Sequence, residues 1–513
     1  MEHEEFTSQF RPLAGEKLIP AEDKFSASRR STGYSHPSRG EQLLSEFSTR
    51  IYNQLNTWEG MSGLLHYSEE DSVLAPFKNI LGFLKEQGIV SHLRGLDDRY
   101  NDAPAFSRFG IESMYHEYST DGRKFSNSRG YGGYSFDRNM EVAISKAIGE
   151  FLERYFLTIY RKKDFIRGSY NFMKKNGYSV IQPGTFAGFS DEQKNYYPYF
   201  RQHQESVFNW QGVKRVLGGK EIFIPAQYVF WNYIFEKEEP RLVDLNTNGG
   251  GGMFSVDGAI LSALYEIIQR DGFLIYWMST LTPLKVNPAS VPDDMFQLIF
   301  QESCRYGFRI HCLNTTVDSG VPSFTVVVED PAGCPRFSLG SCCDANPTKA
   351  IRHALEEAWA VYYFLRNKPV YTLPESYVPF RTESISRVER LRLWANSEMA
   401  DKYSFLISGE EKKFSEINFT FPAQFSNEHE ELRCLVEQIE SLGPGYEVYY
   451  YAAENPVLSH LNYHVVKAVV PQMMPFYLNE TFAPLGAARL REVPQKLGYQ
   501  STRSINPWPH PFP

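Results

Sequence analysis

Three stretches of the chain repeat one another: Ala143-Ile144-Ser145-Lys146-Ala147-Ile148-Gly149-Glu150, Ala259-Ile260-Leu261-Ser262-Ala263-Leu264-Tyr265-Glu266 and Ala350-Ile351-Arg352-His353-Ala354-Leu355-Glu356-Glu357. All three read A-I-x-x-A-[IL]-x-E, a spacing that makes each an amphipathic helix. Glycine precedes every copy, at Gly130 to Gly133, at Gly249 to Gly252 and at Gly340. A glycine loop running into a helix aims backbone N–H groups at whatever lies in front of it, which favours an anion. The repeats therefore either surround one bound anion or serve as three similar packing helices.

The first helix continues through Glu150-Phe151-Leu152-Glu153-Arg154. Ile144, Ile148, Phe151, Leu152 and Tyr155 fall on one arc, and Glu150, Glu153 and Arg154 on the opposite one. Alone, such a face is a solvated surface with an i,i+4 pair contributing about 0.2–0.5 kcal/mol. The second helix, capped by Ser255, repeats the i, i+3, i+4 placement with Glu266, Gln269 and Arg270, which weakens that reading. The third opens at Asn346-Pro347 and carries Arg352, Glu356 and Glu357, with Ala360 in the place of Glu153 and Gln269.

Elsewhere, residues 1–40 are polar and read as a flexible segment. Residues 41–100 form a small helical lead-in, with apolar residues at helical spacing from Leu43, Leu44, Phe47 and Ile51 through Phe77 and Ile80 to about Leu93. Short β-like runs follow at 179–181, 221–225 and 227–231, and Ser323–Val328 and Val465–Val470 read as buried strands. Helices and strands mixed in this way predict an α/β (α+β) fold. Residues 375–445 are charged and irregular, an insertion or partner-facing segment. The tail 507–513, Pro507-Trp508-Pro509-His510-Pro511-Phe512-Pro513, has proline at every second position and must run extended. It either hangs free, serves a proline-recognition domain, or threads inward to place a carboxylate.

At 513 residues with 42% hydrophobic content the chain has ample apolar surface to bury, and a net charge of -8 leaves no global basic footprint for nucleic acid. Six irregularly spaced cysteines with no C-x-x-C pair fit a reducing cytoplasm, and no apolar run reaches membrane-spanning length. Walker A, G-x-G-x-x-G, G-x-S-x-G and H-E-x-x-H patterns are all absent. What remains is an unusual ATP site: Glu150, Glu153, Glu266 and Glu357 as oxygen ligands for magnesium, Gln269 as a neutral carbonyl, and Arg154 and Arg270 for phosphate oxygens.

The helix ending Glu150-x-x-Glu153-Arg154, the block from Thr247-Asn248-Gly249 to Glu266-Ile267-Ile268-Gln269-Arg270-Asp271, the third helix at Glu357, the Val470-Pro471 and Gly486 to Leu490 block and the Pro-x-Pro-x-Pro terminus together resemble the YcaO-domain family. The resemblance covers about residue 100 to 513, and its terminus is similar to those of azoline-forming cyclodehydratases, the D proteins of thiazole/oxazole-modified microcin (bacteriocin) biosynthesis. It implies a YcaO-type catalytic domain over 101–513, with the repeated units around one nucleotide pocket. It also implies ATP and Mg2+ as cofactors, and Asn248 and Arg352 join the nucleotide-binding residues named above. The implied reaction is cyclodehydration of Cys, Ser or Thr in a ribosomally made precursor peptide. Arg154 and Arg270 would neutralise charge, and the Pro513 carboxylate would assist proton removal. Implied partners are a ubiquitin-activating-enzyme-like C protein that presents the leader peptide and an FMN-dependent azoline dehydrogenase. Thioamide or amidine formation, or a non-catalytic scaffold, are the alternatives. Departures from the family pattern fall at Ala360, His353, Gln472, Gly251 and Gly252, and they bear mainly on the third helix.

Overall fold

The structure, a computed structural model, describes residues 74–95, 102–113, 118–120, 123–125, 132–382, 385–500 and 504–512. The segment 1–40, the helical spacing through Leu43 to Ile51, Gly130 and Pro513 lie outside the described residues. The chain divides into two units, Met1–Asp97 with Ser107–Phe151, and Asp98–Phe106 with Leu152–Pro513.

In the first unit helix α1 (Ala75–Glu86) buries Phe77, Ile80, Leu81 and Leu84, the i, i+3, i+4, i+7 set of one face. The helical spacing read as far as Leu93 stops at Gly88, whose φ of +66° turns the chain into strand β1 (Val90–Gly95). Strand β2 (Ser107–Ser113) pairs antiparallel with β1, and a two-stranded ribbon of β3 (Tyr118–Thr120) and β4 (Arg123–Phe125) precedes β5 (Gly132–Asp137), which pairs antiparallel with β2. Asn139 then caps helix α2 (Met140–Phe156), its Oδ1 accepting the Glu141 N–H at 2.9 Å. The residues of α2 from Leu152 onward belong to the second unit.

The second unit holds two sheets. One comprises β6 (Ile166–Ser169), β7 (Val207–Arg215), β8 (Glu221–Pro225), β9 (Gly250–Met253), β15 (Tyr449–Ala452) and β16 (His464–Val469), all antiparallel, in the order β6-β7-β15-β16-β9 with β8 also on β7. Short helices α3 (Tyr170–Lys175) and α4 (Asp191–Tyr196) lie in its connections. The other sheet is β13 (Phe337–Cys343), β12 (Ser323–Glu329), β11 (Arg309–Asn314), β10 (Leu284–Val286) and β14 (Glu411–Lys412), with only β10–β14 parallel. Helix α5 (Val256–Met278), capped by Ser255, contacts β9 and β16 of the first sheet and β12 and β13 of the second, and is buried on nearly every face. Helix α6 (Asp294–Arg305) packs on β11, and α7 (Pro347–Leu365), capped by Asn346, on β12 and β13.

Two expectations are corrected here. The run 227–231 is not a strand: Ala226–Tyr228 form a 3-10 turn directly after Pro225, and Val229 and Phe230 are apolar because they fill a core cluster. The Gln227 side chain bridges the turn to Pro240 O and Leu242 N–H. Residues 375–445 are not irregular either. They hold α8 (Arg387–Trp394), α9 (Ala400–Ile407) and α10 (Glu428–Glu440), in which Leu391, Trp394, Leu406, Leu435 and Ile439 are buried, and with them the charged Arg390, paired with Glu480 at 2.7 Å. Helices α11 (Pro456–Leu461) and α12 (Arg489–Lys496) complete the unit. No helix among the described residues is long and apolar enough to cross a membrane.

The repeats share a packing rule. Glycines read as loop residues sit in strands, and each lies so close to its own following helix that a Cβ would strike backbone: Gly133 against Ala147 O, Gly251 against Ala259 O, Gly340 against Ala354 O and Ala358 N. They are therefore not helix-terminal phosphate loops; glycine is needed because strand and helix backbones touch. The repeated glutamate secures each contact by accepting an N–H from the strand or the turn that opens it: Tyr134 to Glu150 at 2.5 Å, Gly249 to Glu266 at 2.9 Å and Ser341 to Glu357 at 2.6 Å.

Behind α5, Arg489 is buried and bidentate to Asp271 at 2.6 Å for both bonds, with Asp318 at 2.7 Å. Burial works against its charge, but Asp271 and Asp318 hold the guanidinium protonated well beyond its ordinary range.

The proline-rich tail threads inward. Prolines lack N–H donors, so the segment offers mainly carbonyls, and side chains claim them: Tyr377 Oη takes Pro507 O at 2.9 Å, Trp277 Nε1 takes Trp508 O at 3.1 Å, Trp394 Nε1 takes Pro509 O at 2.9 Å and Arg390 Nη1 takes His510 O at 3.1 Å. His510 is fully buried. Its Nε2–H donates to Tyr477 O at 2.6 Å, and Nδ1 has no partner. Burial holds the imidazole well below its ordinary 6.5, and the Arg390 and Arg270 charges act the same way.

Two outcomes follow from this packing. Gly340→Ala drives a methyl into the α7 backbone and costs about 1–3 kcal/mol or more, read from denaturant unfolding. For His510, the unfolded chain takes up a proton below pH 6.5 while the folded chain does not, so stability present above that pH is lost as pH falls through the window beneath it. The gap between wild type and His510→Phe is flat above pH 6.5 and slopes by about 1.4 kcal/mol per pH unit below it.

Candidate functional site

One turn of α5 carries Glu266, Gln269 and Arg270. Glu266 is fixed through Oε2 by the Gly249 N–H, which the positive φ of +80° at Gly249 turns toward the helix. Oε1 lies 3.9 Å from Arg270 Nη2. The Arg270 guanidinium has two aromatic rings against it, Phe476 at 4.8 Å and Phe512 at 5.0 Å, and its Nε and Nη1 are buried without a hydrogen-bond partner in the chain. Gln269 is buried on the same turn.

Across β9 the α2 terminus delivers Glu153. Gly250 has no room for a side chain because the Glu153 carboxylate lies against it. Lys467 enters from β16, only 6% exposed, and donates to Asn246 O at 3.1 Å and Asn248 O at 2.5 Å. Burial lowers its pKa to about 8 against the opposing pull of Glu266 and Glu153, so these three charges share one neighbourhood. Asn248 Oδ1 is buried and unpartnered. Asn246 ties the loop to Phe476 by donating to its carbonyl at 2.7 Å. A cavity of about 70 Å³ opens beside this cluster, lined among others by Phe186, Tyr228, Phe230, Asn248, Lys467 and Phe476.

The structure thus brings together Glu153, Asn248, Glu266 and Arg270 among the residues expected from sequence. Arg154, next to Glu153, fixes the helix end through its carbonyl, which accepts Trp231 Nε1–H at 2.8 Å. Glu150 lies in the first unit with its Tyr134 bond. Glu357 holds the Ser341 N–H, and Arg352 pairs with Asp293, the cap of α6, at 3.1 Å and lies 3.9 Å from Glu356 one turn along α7. Pro513 lies outside the described residues. Nothing in the helical repeats marks Lys467, Phe476 or Phe512 as site residues. A lysine inside the apolar run Val465-Val466-Lys467-Ala468-Val469 was the one available signal.

Chemically the cluster sets two carboxylates beside a guanidinium with unspent N–H groups and a buried ammonium. That donor set suits a polyanion together with a hard cation. Among the described residues no three acidic, histidine or cysteine side chains lie close enough to hold a metal by themselves. Magnesium is usually held by one or two carboxylates plus phosphate oxygens.

Comparison with known proteins gives the cluster a context. The family model described as YcaO cyclodehydratase, ATP- and Mg2+-binding, matches residues 138–474. A heterocyclase in complex with substrate and cofactor superposes with a TM-score of 0.66 at 20% identity, over 86% of this chain and 57% of that one. YcaO from Methanopyrus kandleri bound with AMPPCP and Mg2+ gives 0.55 at 15% identity, over 78% and 91%. The E. coli microcin synthetase McbBCD complex gives 0.53 at 13%, over 82% and 97%. At these identities the likeness is one of fold. Two uncharacterised proteins, from Rhizobium leguminosarum bv. trifolii and Methanothermobacter thermautotrophicus, are each 24% identical, and the matches span 37% and 40% of their lengths and 29% and 30% of this chain.

Proposed function

The chain belongs to the YcaO family, and from that premise we propose that it is an ATP-dependent enzyme that cyclodehydrates Cys, Ser or Thr residues of a ribosomally made precursor peptide to thiazolines or oxazolines. The observation that carries the reading is Arg270, with two buried nitrogens unspent beside Glu266 and within one strand of Glu153 and Lys467. ATP and Mg2+ are the cofactors of the family. Glu153 and Glu266 would hold magnesium together with phosphate oxygens, and Arg270 and Lys467 would neutralise phosphate charge. Gln269, Asn248, Arg154, Arg352 and Glu357 complete the proposed nucleotide-binding set.

The substrate's own thiol or hydroxyl attacks the preceding backbone carbonyl, and ATP supplies the phosphoryl group that turns the carbonyl oxygen into a leaving group. Phosphate departs with that oxygen, so each ring removes one water mass from the peptide and yields ADP and phosphate. The nucleophile belongs to the peptide, which fits the absence of a nucleophile–base motif in the sequence. The protein's contribution is positioning and charge stabilisation in a site shielded from water. A protein presenting the leader peptide, and a dehydrogenase that oxidises azolines, are the proposed partners. The McbBCD neighbour, a multi-protein microcin synthetase, supports work within a complex.

Incubation with ATP, Mg2+, a cognate peptide and its partner protein should release phosphate in step with loss of water mass from the peptide. Glu266→Gln should lower both by about 100-fold or more, as loss of one preorganised charge contact does, with little change in melting temperature. Phosphate release without any change in peptide mass, or full activity of Glu266→Gln, would sink the assignment.

A further inference from the structure

Arg270 is held without spending its hydrogen bonds. An arginine in a protein interior normally saturates its planar fork on carboxylates or carbonyls. Here Nε and Nη1 are buried and unpartnered, and Nη2 reaches Glu266 only at 3.9 Å. What fixes the guanidinium is its contact with the faces of Phe476 and Phe512, which attract the cation through ring electrostatics and leave Nε–H and Nη1–H available. Both rings are anchored. Asn246 holds the Phe476 carbonyl. Phe512 is 1% exposed and edge-on to Phe273 of α5 at 4.3 Å. The segment leading to it is caught carbonyl by carbonyl by Tyr377, Trp277, Trp394 and Arg390. So much anchoring is more than a hydrophobic plug requires, and its end product is one ring set against one cation.

We propose that Phe512 is a positioning residue: with Phe476 it sets the plane of the Arg270 guanidinium so that Nε–H and Nη1–H are presented to an anionic oxygen of the bound ligand, which makes the proline-rich segment part of the anion site. The inference rests on the nucleotide reading above, in which that oxygen belongs to a phosphate of Mg2+-bound ATP. It assigns the tail a role in nucleotide binding through a side chain.

The test is calorimetric titration of a non-hydrolysable ATP analogue with Mg2+ onto the full chain, alongside KM for ATP and kcat. Phe512→Leu fills the space but lacks a ring, and should weaken analogue binding about 10-fold, or about 1.4 kcal/mol, with KM for ATP rising in proportion. Phe512→Tyr keeps the ring and should stay within about 2-fold of wild type. Phe476→Leu should reproduce the loss from the other ring, and it stands in if Phe512→Leu does not fold. A wild-type chain that fails to bind the analogue removes the nucleotide reading and the inference with it. Wild-type binding with the leucine variants unchanged, or with Phe512→Leu and Phe512→Tyr equally impaired, overturns the positioning role alone.

Discussion

The contact on which the rest of the second unit depends is backbone against backbone. At Gly251 and Gly340 a strand lies so close to the helix that follows it that no side chain fits between them, and Gly249, in the turn before β9, and Ser341 of β13 each give up an N–H to a helical glutamate. A carboxylate held by a backbone donor cannot swing among rotamers, so its remaining oxygen has a fixed direction before any ligand arrives. That is how a fold built from common elements supplies preorganised charge. The bond also answers an accounting question, since an N–H facing a helix rather than a neighbouring strand would otherwise be buried unmet.

The tail shows the same accounting run in reverse. A segment of alternating prolines cannot join a sheet, because it has too few donors to offer a neighbour. It can still be buried where other groups donate to it, and two tryptophans, a tyrosine and an arginine do so. Those donors come from α5, α8 and the loop between α7 and α8. The core there is a meeting of aromatic side chains with polar tips rather than a purely apolar interior.

How much of this was legible in the sequence differs from feature to feature. Ser255 and Asn346-Pro347 announced their helices because capping is local chemistry. Glu153, Glu266 and Arg270 stood out because the i, i+3, i+4 face repeats, the α/β mixture followed from the interleaved helical and strand-like runs, and the YcaO family entered as a resemblance carried by several motifs in order together with the proline-rich terminus. The role of the glycines was not legible: a glycine touching a distant helix backbone and a glycine in a loop look identical along the chain. Arg352 was read from its place on the helix, but its partner Asp293 comes from α6, which no local spacing encodes. Lys467 looks like an interruption in a strand until β9 is placed beside it, and the pairing of Phe476 and Phe512 with Arg270 exists only in three dimensions.

Strand β9, which carries Gly250 to Gly252, pairs among the described residues with β16, about 200 residues further along the chain. Closing so long a loop is slow, and its entropic cost precedes any reward from contacts. Lys467 and Phe476 reach α5 only when β16 pairs with β9, so the cluster around Glu266 and Arg270 depends on that long-range pairing. Anything bound by the cluster would need the finished fold and not its precursors. Binding of that kind draws a folding equilibrium toward completion by mass action.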